Sequence, residues 1–190
     1  MGEPKNIKAI VIGGSAGSFQ VIASILSELP KNYPIPLILC LHRLKHVRSG
    51  FVEALSIKSN LEIVEPIDKQ HVKAGKVYLA PANYHLSVEL GFTFSLSTEE
   101  LVSFSRPSID VTLESTGFVY KNKMVGIILS GANKDGARGL KTVDQFGGMT
   151  MVQDPKESKV PTMPLASMEL TDVNYVYTTE RIIHFLKQLS

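Results

Sequence analysis

The feature that most constrains the fold is an alternation of short apolar runs with stretches of helical spacing. Residues 7–12 and 35–41 are apolar runs of strand length. Between them, residues 19–29 carry apolar side chains at helical spacing, and Pro30 ends the pattern. This order is expected of parallel strands joined by crossover helices. The sequence therefore predicts an α/β fold with a mostly parallel sheet.

The later part of the chain repeats this alternation after one predicted β-hairpin. Residues 85–89 and 92–96 alternate apolar and polar side chains on either side of Leu90 and Gly91, which predicts two antiparallel strands. The other predicted strands are residues 61–64, 76–80, 125–129 and 149–152, and the other predicted helices are residues 51–57, 107–120, 139–146 and 181–189. We therefore expect helices on both faces of the sheet and an inserted β-hairpin.

Length and composition favour one soluble domain over residues 1–190. With 44% hydrophobic and 20% charged residues, the chain has no apolar run near the roughly 20 residues that cross a membrane. We expect no membrane insertion, and the N-terminus has no apolar signal region, which favours the cytoplasm. The net charge of +2 is too balanced to predict a nucleic-acid partner. The lone Cys40 lies in an apolar run and is expected to be a core thiol.

The first predicted strand runs into a glycine-rich turn that contains Ser15. Residues 13–17 read GGSAG and match the G-x-S-x-G pattern, whose glycines allow a sharp turn between a strand and a helix. Backbone N–H groups at the start of the following helix point to the same place and are suited to stabilise an oxyanion. The dinucleotide and P-loop patterns do not match. Three interpretations stay open: a nucleophile, a ligand-binding loop and a structural turn.

A serine nucleophile needs a base and a residue that orients the base. His42 ends the second predicted strand, and Asp135 lies in a glycine-flanked turn after the strand at residues 125–129. Because ligands bind at the carboxyl ends of parallel strands, we expect both side chains at the same edge as Ser15. Taken singly, His42 is also typical of a surface or capping residue, and Asp135 of a helix N-cap. The chain order Ser, His, Asp differs from that of the α/β-hydrolases.

At this point the sequence resembles the catalytic domain of the CheB-type chemotaxis methylesterases. The likeness extends from about residue 7 to the last helix. It depends on short motifs in a specific order: residues 12–17, residues 41–42, residues 79–81 followed by His85, residues 106–110, residues 129–131 with 135–136, and residues 163–164. The family hydrolyses glutamate methyl esters on chemoreceptors and deamidates particular receptor glutamines.

The resemblance implies a doubly wound α/β domain in which Ser15 is the nucleophile, His42 the general base and Asp135 the acid that orients the histidine. It implies methylated cytoplasmic helices of chemoreceptors as partners, and neither a metal nor an organic cofactor. Other residues are candidates for substrate or oxyanion contacts: Ala16, Gly17, His85 and Ala132. For His85, a hydrogen-bonding role in the hairpin is the alternative.

The sequence departs from the family pattern at three places. Ser18 replaces a glycine usual after the serine motif, and Ala132-Asn133 replaces a usual Met-Gly pair. The family's receiver domain is not in this chain, so we expect regulation by a separate regulatory or receiver protein. These departures leave two alternative functions: a non-catalytic module that binds or scaffolds receptors, and an esterase for a small molecule.

A basic cluster at residues 42–48 contains two further features of interest. His46 competes with His42 as the base but falls in a charged loop. Arg43, Lys45 and Arg48 are suited to hold the acidic flanks of a receptor helix, and a solvated loop is the alternative.

Overall fold

The computed structural model describes residues 6–42 and 50–189, and a parallel sheet organises them. The basic cluster, including His46, lies outside the described residues apart from His42 itself. In chain order, the elements are β1 Ala9–Gly14, α1 Phe19–Glu28, β2 Leu37–Leu41, α2 Phe51–Ser56, β3 Glu62–Val64, β4 Lys76–Leu79, β5 His85–Val88, β6 Phe94–Ser97, α3 Ile109–Tyr120, β7 Met124–Ile128, α4 Ala137–Gln145, β8 Met149–Gln153, α5 Thr162–Leu170, β9 Tyr175–Tyr177 and α6 Thr179–Lys187.

The described strands form a seven-stranded parallel sheet in the order β3-β4-β2-β1-β7-β8-β9, with β5 and β6 as a separate antiparallel hairpin. Strands β2 and β7 flank β1 on opposite sides. The strand order therefore reverses at β1, which makes the carboxyl end of this strand a topological switch point, the usual place for a ligand in such a sheet.

Alternate residues of β1 face two different hydrophobic layers. Ile10 and Ile12 belong to the layer built from α1, α2 and α6, whereas Ala9 and Val11 face the layer built from α3, α4, α5 and the hairpin. All four side chains are fully buried. Helices thus cover both faces of the sheet, as the sequence predicts.

Most predicted elements are confirmed to within about two residues, and two were missed. The helix predicted from Pro107 begins instead at Ile109, because Ser108 occupies the N-cap position. The helix α5 was not predicted because Pro164 falls inside it. Pro164 lies in the first turn, where the backbone N–H groups have no partner within the helix, so its missing N–H costs no helical hydrogen bond. The strand β9 was missed because it has only 3 residues.

Two further findings concern residues on which the sequence carried predictions. Cys40 is fully buried, as expected for a core thiol. Among the described residues, no helix has the length and apolar character needed to cross a membrane.

Candidate active site

The candidate site lies at the carboxyl ends of three neighbouring strands, β2, β1 and β7. The backbone N–H of His42 donates to the carbonyl of Gly14 (3.2 Å), which continues the β1–β2 ladder. On the other side, the N–H of Ser15 donates to the carbonyl of Ser130 (2.9 Å). Ser15 is therefore held between His42 and the loop that carries Asp135.

The turn after β1 has the sharp geometry that its glycines predict. Gly17 has φ +88°, in the left-handed region that favours glycine. Ser18 occupies the N-cap position of α1 without making the usual capping bond. Its N–H and its hydroxyl instead both donate to the Ser15 carbonyl (3.1 and 2.7 Å), which pulls the turn tight. Ser15 itself is partly exposed.

His42 and Asp135 form a direct side-chain pair. The Nε2 atom of His42 lies 2.8 Å from Oδ2 of Asp135, and the side chains are 15% and 0% exposed. A carboxylate only accepts hydrogen bonds, so Nε2 is the protonated nitrogen and donates. The other ring nitrogen, Nδ1, is then unprotonated and able to accept a proton. Within the described chain no hydrogen bond joins Ser15 Oγ to His42, and such bonds commonly tighten only when substrate is bound.

Asp135 is buried but surrounded by donors. Besides His42, it accepts from the Ser108 hydroxyl (2.8 Å) and from the N–H groups of Ile109 (2.7 Å) and Asp110 (3.1 Å). Burial alone raises the pKa of the Asp135 carboxyl, but the bonds from His42, Ile109, Asp110 and Ser108 outweigh it and hold the pKa below its ordinary value. Asp135 is thus built to stay ionised and to hold the imidazole of His42.

The carboxylate of Asp135 does not cap the helix that follows it. Gly136 occupies the N-cap position of α4, and Asp135 bonds instead to the first turn of α3. Asp110 completes the exchange, because its Oδ1 accepts from the N–H groups of Gly136 (2.9 Å) and Gly139 (2.8 Å) at the start of α4. Helix α3 therefore supplies the acid that caps α4, and the loop before α4 supplies the acid that caps α3.

A close approach of α3 and α4 makes this exchange possible. A Cβ atom at Gly139 would lie 2.7 Å from the Cβ of Leu113 and 3.0 Å from the Cα of Asp110. Any larger residue at this position would push the helices apart. The glycine is therefore required by packing rather than by the conformation of its backbone.

The predicted contact residues Ala16, Gly17 and Ala132 differ from His85 in exposure. Ala16 and Ala132 are exposed, and Gly17 is partly exposed. In the described part of the chain, no protein acceptor takes a hydrogen bond from the backbone N–H groups of these three residues. These N–H groups are therefore free to donate to a bound ligand. The geometry of His85 favours the alternative role, because this residue is only 3% exposed and both ring nitrogens bond inside the protein.

The side chain of Asn133 links two segments near Asp135. Its Oδ1 accepts from the N–H of Asp135 (3.2 Å), and its Nδ2 donates to the Ser105 hydroxyl (3.4 Å). The first bond is a local turn typical of asparagine. These two bonds tie the loop that carries Asp135 to the segment before α3.

Two functional neighbours were missed by the sequence analysis. The hydroxyl of Ser130 donates to the Ala16 carbonyl (2.7 Å), so it supports the turn behind Ser15. The buried Gln153 accepts from the N–H of Ser130 (2.9 Å). Both residues lie at strand ends, and this position was the only indication in the sequence that they are near the site. Their hydrogen-bond partners lie on other elements, so the local sequence does not indicate them.

A cavity of about 1100 Å³ opens far from these residues, at the other edge of the sheet. It is lined by residues that precede β1, β2 and β7, including Lys8, Ile35 and Lys123.

No group of three or more His, Cys, Asp or Glu side chains is placed to hold a metal ion within residues 6–42 and 50–189.

A sequence model described as CheB methylesterase matches residues 10–186, nearly the whole chain. The chain belongs to the CheB methylesterase family. A relative from Leptospira interrogans is 42% identical over 184 residues, which cover 97% of this chain and 95% of the relative. The protein-glutamate methylesterase/protein-glutamine glutaminase of Thermotoga maritima is 32% identical over 189 residues, and the match spans 96% of this chain but 54% of that protein.

The fold of this CheB methylesterase family member is also that of a known catalytic domain. The crystal structure of the Thermotoga maritima CheB methylesterase catalytic domain superposes with a TM-score of 0.91 at 31% identity, over 97% of this chain and 99% of that one. The family resemblance and the doubly wound α/β fold predicted from the sequence are therefore confirmed. The chain spans about half the length of the Thermotoga protein and nearly all of the Leptospira one.

Proposed function

We propose that this protein is a serine hydrolase that cleaves glutamate methyl esters on chemoreceptor helices during chemotactic adaptation. The observation that carries the proposal is the His42 Nε2–Asp135 Oδ2 hydrogen bond of 2.8 Å, placed beside the serine of a G-x-S-x-G turn. Membership of a family whose Thermotoga relative is named for methylesterase and glutaminase activity supports the substrate class.

In the first half of the reaction, Nδ1 of His42 takes the proton of Ser15 as its hydroxyl oxygen attacks the ester carbonyl. The imidazolium that forms is stabilised by the ionised, fully buried Asp135. Collapse of the tetrahedral intermediate breaks the bond to the methoxy group, and His42 returns the proton to it. The products are methanol and an ester between the glutamate side chain and Ser15.

In the second half, His42 takes a proton from water as the water oxygen attacks the same carbonyl. Collapse of this intermediate breaks the bond to Ser15 Oγ, to which His42 returns the proton, and releases the glutamate side chain with a free carboxyl group. The oxyanion of both intermediates is stabilised by backbone N–H groups that make no bond within the described protein, those of Ala16, Gly17 and Ala132 being the candidates. The same steps on a glutamine side chain release ammonia instead of methanol, which is the glutaminase reaction.

The test is methanol release from methylated receptor membranes by the parent protein and by Ser15→Ala. We expect release by the parent and a loss of at least about a thousandfold in the variant. Ser27→Ala is the matched control, because Ser27 is an exposed serine on α1 whose hydroxyl bonds only to the Ser24 carbonyl of the same helix. Receptor binding without release by the parent refutes the proposal and favours a non-catalytic receptor-binding module. Release from simple esters alone favours a small-molecule esterase.

A further inference from the structure

We propose that Ser108, held in place by His85, is a positioning residue that fixes the Asp135 carboxylate for catalysis. The inference rests on the proposed function for its catalytic consequence, but its structural part concerns the protein without substrate. It assigns a role to two buried residues outside the Ser15–His42–Asp135 set.

Ser108 is fully buried at the N-cap of α3, and each of its polar groups is engaged. Its hydroxyl donates to Oδ1 of Asp135 (2.8 Å) and accepts weakly from the N–H of Val111 (3.5 Å). Its carbonyl accepts from the N–H of Thr112 (3.3 Å), as expected where a helix begins. Ser108 is therefore held rigidly by the helix while its hydroxyl proton is directed at the acid.

His85 controls the remaining group of Ser108, its backbone N–H. Because this N–H donates to Nδ1 of His85 (3.2 Å), Nδ1 is the unprotonated ring nitrogen. The protonated Nε2 then donates to the carbonyl of Glu100 (2.9 Å). His85 thus links the first residue of β5 and the segment after β6 to the residue that contacts Asp135.

The bond from Ser108 matters because of the way the Asp135 oxygens share their donors. Oδ2 accepts from Ile109 and His42, and Oδ1 accepts from Asp110 and Ser108. Without the Ser108 hydroxyl, Oδ1 keeps one donor and Oδ2 keeps two, so the carboxylate is held less firmly against rotation about its Cβ–Cγ bond. Such a turn carries Oδ2 out of line with His42. A displacement of this kind lowers kcat although every reacting group is still present.

The experiment compares Ser108→Ala, His85→Leu and His85→Asn with the parent. The oxygen of an asparagine at position 85 is able to accept from the Ser108 N–H, whereas leucine is not. Thr116→Val is the control, because Thr116 is equally buried on α3 and its hydroxyl bonds only to the Thr112 carbonyl (2.7 Å). Thermal unfolding verifies that every variant folds.

Two readouts separate positioning from a general loss of structure. On a simple ester, we expect Ser108→Ala and His85→Leu to lower kcat by about ten- to a hundredfold with KM unchanged. His85→Asn restores most of the loss, and Thr116→Val has no effect. In the protein without substrate, the downfield proton NMR signal of His42 Nε2–H shifts or broadens in Ser108→Ala and His85→Leu only.

The two proposals fail in different ways. A parent that hydrolyses no ester refutes the proposed function, and the NMR signal still decides on the positioning role. If the His42 signal in Ser108→Ala matches that of the parent, or if kcat falls equally in Thr116→Val, the positioning role is refuted.

Discussion

The strongest quantitative prediction concerns the replacement of Asp135 by asparagine. The two carboxylate oxygens each accept two hydrogen bonds, one from a backbone N–H and one from a side chain. Asparagine offers one oxygen and one NH₂ group, which only donates. In either orientation the NH₂ group faces one backbone donor of α3, Ile109 or Asp110, that cannot reorient. The side-chain partner has more freedom, since a hydroxyl rotates and an imidazole changes tautomer.

The magnitude follows from this geometry. One buried N–H without an acceptor costs about 1–3 kcal/mol. The loss of a negative charge at the N-terminus of α3 adds about 0.3–1 kcal/mol. We therefore expect Asp135→Asn to lower the free energy of unfolding by about 1.3–4 kcal/mol. Catalysis is expected to fall by about 10⁴-fold, because asparagine does not hold the imidazolium and favours the wrong tautomer of His42.

Asp110→Asn is a matched control in the same exchange of caps. Both backbone bonds to Asp110 end on the single oxygen Oδ1, and Oδ2 accepts from Arg138, whose side chain is 62% exposed. An asparagine oxygen in the Oδ1 position keeps both backbone bonds, so we expect a loss of about 1 kcal/mol or less. Urea unfolding followed by circular dichroism at neutral pH measures both values. Equal losses in the two variants, or a loss under about 1 kcal/mol in Asp135→Asn, refute the reasoning.

Three further predictions concern pH and backbone conformation. Because the folded-state pKa of Asp135 is lowered, its contribution to stability is present above the unfolded value of about 3.9 and is lost as pH falls through the folded-state pKa. The free energy of unfolding should therefore decrease below about pH 5 more steeply in the parent than in Asp135→Asn, and equal slopes in urea titrations contradict this. Phe104 has φ +60° and is 98% exposed, so Phe104→Asn should relieve strain at no cost in burial and raise stability by about 0.5–1 kcal/mol. A lower melting temperature would count against this explanation. In Gly17→Ala, the new Cβ lies 2.6 Å from Cβ of Lys159 and 2.8 Å from Oγ of Ser130, and we expect a loss of about 1–3 kcal/mol together with a loss of ester hydrolysis. Parent-like unfolding and turnover in this variant would show that the turn tolerates a side chain.

Much of the fold was readable because parallel strands buried on both faces leave continuous apolar runs in the sequence. The strand β1 illustrates the limit of this signal. It was predicted at residues 7–12 but ends at Gly14, because Gly13 and Gly14 still pair with Cys40 and Leu41 of the neighbouring strand. Two glycines are not typical of a strand, and only the neighbouring strand extends it to the edge of the site.

The position of the candidate site at one edge of the sheet was also predictable from the apolar runs. Ser15, His42 and Asp135 each follow an apolar run. The carboxyl ends of parallel strands share one edge of the sheet, and this rule predicts that the three side chains lie close together. The role of Asp110 was not predictable, although residues 106–110 belong to the motifs of the family resemblance. Its partners are the N–H groups of Gly136 and Gly139, which are 26 and 29 residues away, and no local pattern indicates them.

The sequence by itself determined which side chains reach the carboxyl edge of the sheet, because strand length and helix spacing depend on local apolar periodicity. Only the tertiary structure decided which group each of these side chains bonds to. A local rule assigns Asp135 to the helix that follows it, yet the carboxylate caps α3, which the close contact at Gly139 brings within reach. A buried carboxylate bonds to whichever donors the packing places nearest, and packing joins residues that are distant in the chain.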